Sequence, residues 1–201
     1  GGVELNRSEA ADSVLLKSGD PIFGSVKNAQ FKINTLLGEL DLPASRIIGM
    51  GGGSGQSVRF VLVDGQVVSG RLAGKTLQVD LDGGGLLNIP YDKIAQWSYR
   101  VPEAKSDEEK FGGPCVMLRT GDRLGFDPKA LDMKLLTRHG LVKLDPAGLL
   151  ELTMDNPGNA VHRAVFLNGS RLGGFLEPET LKLKLKLGKT VAVSRDLIAQ
   201  L

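Results

Sequence analysis

Residues 57–97 read SVRFVLVDGQVVSGRLAGKTLQVDLDGGGLLNIPYDKIAQW. An apolar strand carries Phe60 and Leu62, the chain turns at Asp64-Gly65, and a return strand reaches Gly70. A third strand, Leu77-Gln78-Val79-Asp80-Leu81, runs into a second glycine turn, and a closing segment runs from Leu87 to Trp97. Apolar residues every second position give each strand one buried face. Aspartate before glycine is turn chemistry, because glycine reaches the backbone angles that tight turns need.

The same order of events occurs four times. Turn glycines stand at Gly19, Gly65, Gly121 and Gly169, with Leu16, Leu62, Leu118 and Phe166 three residues earlier and Val14, Phe60, Val116 and Ala164 five earlier. A second glycine follows at Gly24, Gly70, Gly125 and Gly174, where a strand is expected to bend sharply or let another backbone approach. Third strands carry Phe31, Ile33 and Thr35; Leu77, Val79 and Leu81; Met133, Leu135 and Thr137; and Leu181, Leu183 and Leu185. The closing positions keep one spacing throughout: Leu42, Ile47, Met50; Ile89, Ile94, Trp97; Leu144, Leu149, Leu152; Val193, Ile198, Leu201. That spacing predicts a strand, a one-turn corner and a short last strand.

The expected organisation is therefore a polar N-terminal tail over 1–11, then all-β repeats at 12–50, 57–100, 114–154 and 160–201. Between them lie a glycine-rich connector (51–56), a charged loop containing Ser106 to Lys110, and a break at Asp155 to Asn159. A four-stranded unit of this length also suits a propeller blade, so a small four-bladed propeller or a continuous sheet is the alternative architecture.

Composition agrees with a turn-rich chain. Glycine is 27 of 201 residues, against a usual share of about 7%. Charge is nearly balanced at +2, so attraction to a polyanion has to come from a local patch. The single cysteine, Cys115, excludes an internal disulfide and leaves no pair for a metal or redox motif. No apolar run reaches the roughly 18 residues that span a bilayer, so integral insertion by a helix is not expected. A chain starting at Gly1 rather than methionine suggests trimming or maturation.

The segments Leu62-Val63-Asp64-Gly65-Gln66-Val67-Val68-Ser69-Gly70 and Ile94-Ala95-Gln96-Trp97 carry a resemblance to the bent five-strand pattern of Sm-like small β-barrels. The pattern is also similar to strand-rich repeats of uncharacterised bacterial envelope proteins, which implies an envelope or secreted setting. Sm-like proteins bind RNA through an aspartate and an asparagine after the second strand and a basic-glycine element before the last. Here the loops read Val26-Lys27-Asn28-Ala29-Gln30 and Leu72-Ala73-Gly74-Lys75-Thr76, and the second element is absent, so the resemblance implies the fold and not RNA binding.

Chemistry is sparse. The only histidines are His139, in a turn, and His162, at a strand start, where locally bonded side chains outweigh catalysts. Cys115 begins an apolar strand and reads as a small buried hydrophobe. Asp80 and Asp82 alternate on one strand face, where solvation accounts for them better than a hard cation does. Trp97, whose equivalents are Met50, Leu152 and Leu201, is expected to plug a core rather than stack on sugar. The strongest charge feature is Lys182, Lys184 and Lys186 alternating with leucines, which places three ammonium groups about 6–7 Å apart on one strand face. They are the candidate anion-binding residues, and the competing role is protection of an exposed strand edge.

The expectation is a non-catalytic structural or protein-interaction module with no cofactor and no metal, monomeric or weakly dimeric, whose partner is a protein. The alternative is a binding module for an anionic polymer, nucleic acid or acidic glycan, through the lysines of the fourth repeat.

Overall fold

The computed structural model describes residues 3–52, 56–102, 112–154 and 161–201. The charged loop over 106–110, the break at 155–159 and part of the glycine connector lie outside the described residues. Within them the chain is all-β, with antiparallel strand pairs and three-residue 3-10 turns as its only helical segments. It divides into two compact units, Gly1–Gly112 and Gly113–Leu201.

The first unit contains β1 (Asp12–Leu16), β2 (Pro21–Val26), β3 (Gln30–Thr35), β4 (Gly38–Pro43), β5 (Ile47–Gly51), β6 (Val58–Leu62), β7 (Val67–Ala73), β8 (Thr76–Leu81), β9 (Gly85–Pro90) and β10 (Ile94–Ser98). Hairpins form where the glycine turns place them: Asp12 opposite Gly24 in β1–β2 and Val58 opposite Gly70 in β6–β7. Past those glycines β2 and β7 leave their hairpins and cross to the β8–β9 and β3–β4 hairpins. Ser25 and Val26 of β2 pair with Asp80 and Val79 of β8, while Arg71, Leu72 and Ala73 of β7 pair with Asn34, Ile33 and Lys32 of β3. β10 joins β1 to β5, and β5 continues onto β6. Neither β1–β5 nor β6–β10 closes on itself: β3, paired with β4, takes β7, and β8, paired with β9, takes β2.

Glycine makes the crossing sterically available. A Cβ on Gly24 would lie 2.4 Å from the Asp80 carbonyl oxygen, and one on Gly70 would lie 2.5 Å from that of Asn34. Real Cβ atoms do not come so near backbone, so any side chain there would push the crossing strands apart.

The second unit repeats this pairing with β11 (Cys115–Leu118), β12 (Arg123–Asp127), β13 (Met133–Thr137), β14 (Gly140–Leu144), β15 (Leu149–Met154), β16 (His162–Phe166), β17 (Arg171–Leu176), β18 (Thr180–Leu185), β19 (Thr190–Ser194) and β20 (Ile198–Gln200). β12 crosses to β18 and β17 to β13. Gly174 stands opposite His162, and its Cβ would meet the Leu136 carbonyl oxygen at 2.4 Å.

The third repeat departs from the expected pattern. Gly125 faces Cys115 inside the hairpin, the place held by Phe23, Ser69 and Gly173 in the other copies. Phe126, 4% exposed, occupies the crossing position instead, opposite Leu185. β12 pairs with β18 only at Phe126 and Asp127, and Pro128, which has no backbone N–H, opens a 3-10 turn over Pro128–Ala130. The other three copies carry their 3-10 corner before the last strand, at Ala44–Arg46, Tyr91–Lys93 and Arg195–Leu197.

Two side chains close the hairpin mouths. Asp12 accepts the Val26 amide at Oδ2 and the Arg100 amide at Oδ1, each at 2.8 Å. His162, at the equivalent position of the fourth copy, accepts the Leu176 amide at Nδ1 over 2.9 Å. Each captures the amide two residues past the crossing glycine, where ladder bonding is interrupted. His162 thus has a local structural task, and its Nδ1 carries no proton while it performs it.

The first unit's core is drawn from both β1–β5 and β6–β10. Trp97 of β10 is fully buried, stacks on Phe31 of β3 at 5.1 Å and meets Phe60 of β6 edge-on at 6.2 Å. Aromatic pairs at such separations add about 0.5–1.5 kcal/mol each beyond the area they bury. The N-terminal tail is docked beside this core: Arg7 Nε donates to the Tyr99 carbonyl (3.1 Å), Gln96 Nε2 to that of Glu4 (2.9 Å), and Ser98 Oγ to that of Asn6 (2.8 Å).

Candidate functional site

Lys182, Lys184 and Lys186 all project outward from the β18 line, while Leu181, Leu183 and Leu185 face inward and are buried. The strand is not a sheet edge along its length: β19 pairs with it on one side, and β12 reaches Lys184 and Leu185 on the other. Lys184 sits directly opposite Asp127 and Thr190 in the strand register, and the Asp127 carboxylate accepts the Lys129 amide at 3.1 Å. The Nζ of Lys186 lies against Gly113, 2.8 Å from where a Cβ would be.

The remaining sequence candidates are dispersed. His139 is exposed in the β13–β14 turn, its backbone N–H bonded to Thr137 Oγ1 (3.1 Å). Cys115 is half-buried and faces Gly125. Asp80 is 3.4 Å from Lys27 Nζ, both side chains being about half exposed, an ion pair of little energetic weight. Among the described residues no three His, Cys, Asp or Glu side chains converge.

Four equivalent outward-facing positions are brought together by the strand crossings, and they carry different chemistry. Where β7 meets β3 and β4, Asn34 lies between Glu39 and Arg71. Where β2 meets β8 and β9, Asp80 lies between Leu86 and Ser25. Where β12 meets β18 and β19, Lys184 lies between Thr190 and Asp127. Where β17 meets β13 and β14, Leu136 lies between Leu141 and Phe175. Only the last row is wholly apolar, and its members are 47%, 50% and 48% exposed.

The next outward row beside this patch places Lys134 opposite Lys143, both exposed. Lys143 is 3.8 Å from Asp132 across solvent. β14 pairs with β13 alone among the described strands, so its outer backbone groups are free on the side next to Leu141. The sequence did not single out this row because its members come from three strands that only the crossing makes neighbours.

Two phenols are displaced from their ordinary titration range. Burial raises Tyr91. Burial, with the Asp12 carboxylate and then Tyr91 adding to it, raises Tyr99 well beyond the usual phenol range. Both groups stay neutral at physiological pH, and the buried Tyr99 hydroxyl has no hydrogen-bond partner among the described residues. Compared with protein-family models, with curated proteins and with solved structures, the chain matches none of them.

Proposed function

We propose that the protein is a non-catalytic interaction module, built from Sm-like repeats whose second strands are exchanged in pairs. Its protein-binding face is the row Leu141, Leu136, Phe175. The observation that carries this reading is that the fold does not require an apolar row there: the same positions hold Glu39, Asn34 and Arg71 in the first unit. Exposed adjacent apolar side chains that burial does not demand mark contact surfaces. The occupant proposed is an extended segment of a partner protein that adds to the free edge of β14, sets apolar residues over Leu136 and Phe175, and brings acidic residues to Lys134 and Lys143. An envelope or secreted setting fits such a scaffold.

The test is selection of a displayed peptide library against the whole chain, followed by affinity measurement on the variant Leu136→Asn/Leu141→Glu/Phe175→Arg. This variant copies residues that the first unit already tolerates at those positions. The reading expects selected peptides to alternate apolar and acidic residues and to lose at least tenfold in affinity for the variant. Peptides of no common pattern, unchanged affinity, or stable self-association of the chain through this face by light scattering would overturn it.

A further inference from the structure

A cleft of about 620 Å³ opens in the first unit where β7 leaves β6, and it is walled by residues from both repeats. Lys17 follows β1, Arg71 lies on the crossing part of β7, and Lys75 sits in the turn before β8. These three cations are exposed, and Asp92 is the one carboxylate among the lining residues. Tyr91 contributes a half-buried ring and Ser57 a hydroxyl. Backbone bonds fix the frame: the Tyr91 amide donates to the Lys75 carbonyl (3.0 Å) and the Lys17 amide to that of Lys93 (2.8 Å).

The second unit provides an internal comparison, since the same two backbone bonds recur there from Arg195 to Glu179 (2.9 Å) and from Arg119 to Leu197 (2.8 Å). At this place Arg71 is replaced by Phe175 and Lys75 by Glu179. Arg119, the counterpart of Lys17, turns its guanidinium onto the carbonyls of Asp196 (2.9 Å) and Met154 (3.1 Å). Arg195, the counterpart of Tyr91, donates to the Leu176 carbonyl. The scaffold therefore folds without free cations at this location, and gathering three of them around one cleft costs Coulomb repulsion that an anionic ligand relieves.

We propose that this cleft binds an acidic saccharide, a short chain bearing carboxylate or sulfate groups. The cations receive its charges, Asp92 and Ser57 hydrogen-bond its hydroxyls, and the Tyr91 ring takes the apolar face of one sugar. A single nucleic-acid strand is the poorer fit, because such strands are held by successive aromatic platforms and the cleft presents one ring. The site is separate from the apolar row of the second unit and does not depend on it.

The experiment is calorimetric titration of the full chain with tetragalacturonate, beside neutral maltotetraose and a short oligo-dT, at two salt concentrations. Binding of the uronate that weakens with salt is expected, with maltotetraose inactive. Arg71→Phe/Lys75→Glu, which installs the second unit's residues, should weaken uronate binding at least tenfold with an unchanged melting temperature, and Tyr91→Ala should weaken it by less. Lys182→Glu/Lys184→Glu/Lys186→Glu should leave it unchanged. Absence of uronate binding, equal affinity for oligo-dT, or loss of binding with the β18 lysines rather than with Arg71 and Lys75 would overturn the proposal.

Discussion

Gly70 comes so close to Asn34 that a Cβ on it would sit 2.5 Å from the Asn34 carbonyl oxygen, although the two residues belong to different hairpins. This contact is where β7 abandons its own hairpin for the β3–β4 hairpin. Gly24 and Gly174 make the equivalent contact with Asp80 and Leu136.

Alanine at these crossings should be costly. Overpacking against a backbone carbonyl costs about 1–3 kcal/mol, so Gly70→Ala and Gly174→Ala should each lower the urea midpoint by a corresponding amount. Gly173→Ala is the control one residue away, since its Cβ meets only Val161 Cγ1 at an ordinary 3.5 Å. Equal effects at 173 and 174 would show that the close approach does not limit stability.

His162 should act as an acceptor rather than as an acid or base. Removing it by His162→Ala leaves the buried Leu176 N–H without this partner, which costs about 1–3 kcal/mol in comparable cases. His162→Asp, which borrows the side chain that performs this task at position 12, should recover part of the loss. Chemical denaturation reads both, and a neutral His162→Ala would contradict the assignment.

The phenols give a prediction about pH. Both Tyr91 and Tyr99 hold their protons more tightly in the folded chain than free phenols do, whose value is about 10. Below that pH folded and unfolded chains are equally protonated on these groups and the full stability is present. As pH rises past it the unfolded chain releases protons that the folded chain keeps, so stability falls. Phenolate absorbance of the native protein should therefore appear at higher pH than in denaturant, with Tyr99 last, as Tyr91→Phe would isolate. Coincident titration of native and denatured protein would contradict the burial of these side chains.

Much of the local structure was legible in the sequence. The inward positions Val14, Phe60, Val116 and Ala164 are all buried, and so are the third-strand pairs Phe31 with Ile33, Leu77 with Val79, Met133 with Leu135 and Leu181 with Leu183. Trp97 fills a core as its equivalents Met50 and Leu152 do. The strand exchange was not legible. Alternation sets which face of β2 is buried, and that face is the same whether β2 joins its own β3 or the neighbour's β8. Phe126 was missed because Gly125 stands one residue short of the crossing position and drew the alignment to itself. The lysines of β18 stood out because they alternate locally, whereas Lys17, Arg71 and Lys75 meet only after the chain has folded.

Engineered disulfide formation tests the strand exchange most directly. In a Cys115→Ser background, Ser25→Cys/Asp80→Cys places two thiols at directly paired positions of β2 and β8, with Cβ atoms about 4.5–5.5 Å apart as across other antiparallel pairs. Ser25→Cys/Asn34→Cys is the pair that a self-contained first repeat would bring together, since Asn34 holds the place in β3 that Asp80 holds in β8. Mild oxidation should close the 25–80 pair in the folded chain and leave the 25–34 pair reduced. Closure of 25–34 with 25–80 remaining open would show that each repeat folds on its own, and the exchanged architecture would be wrong.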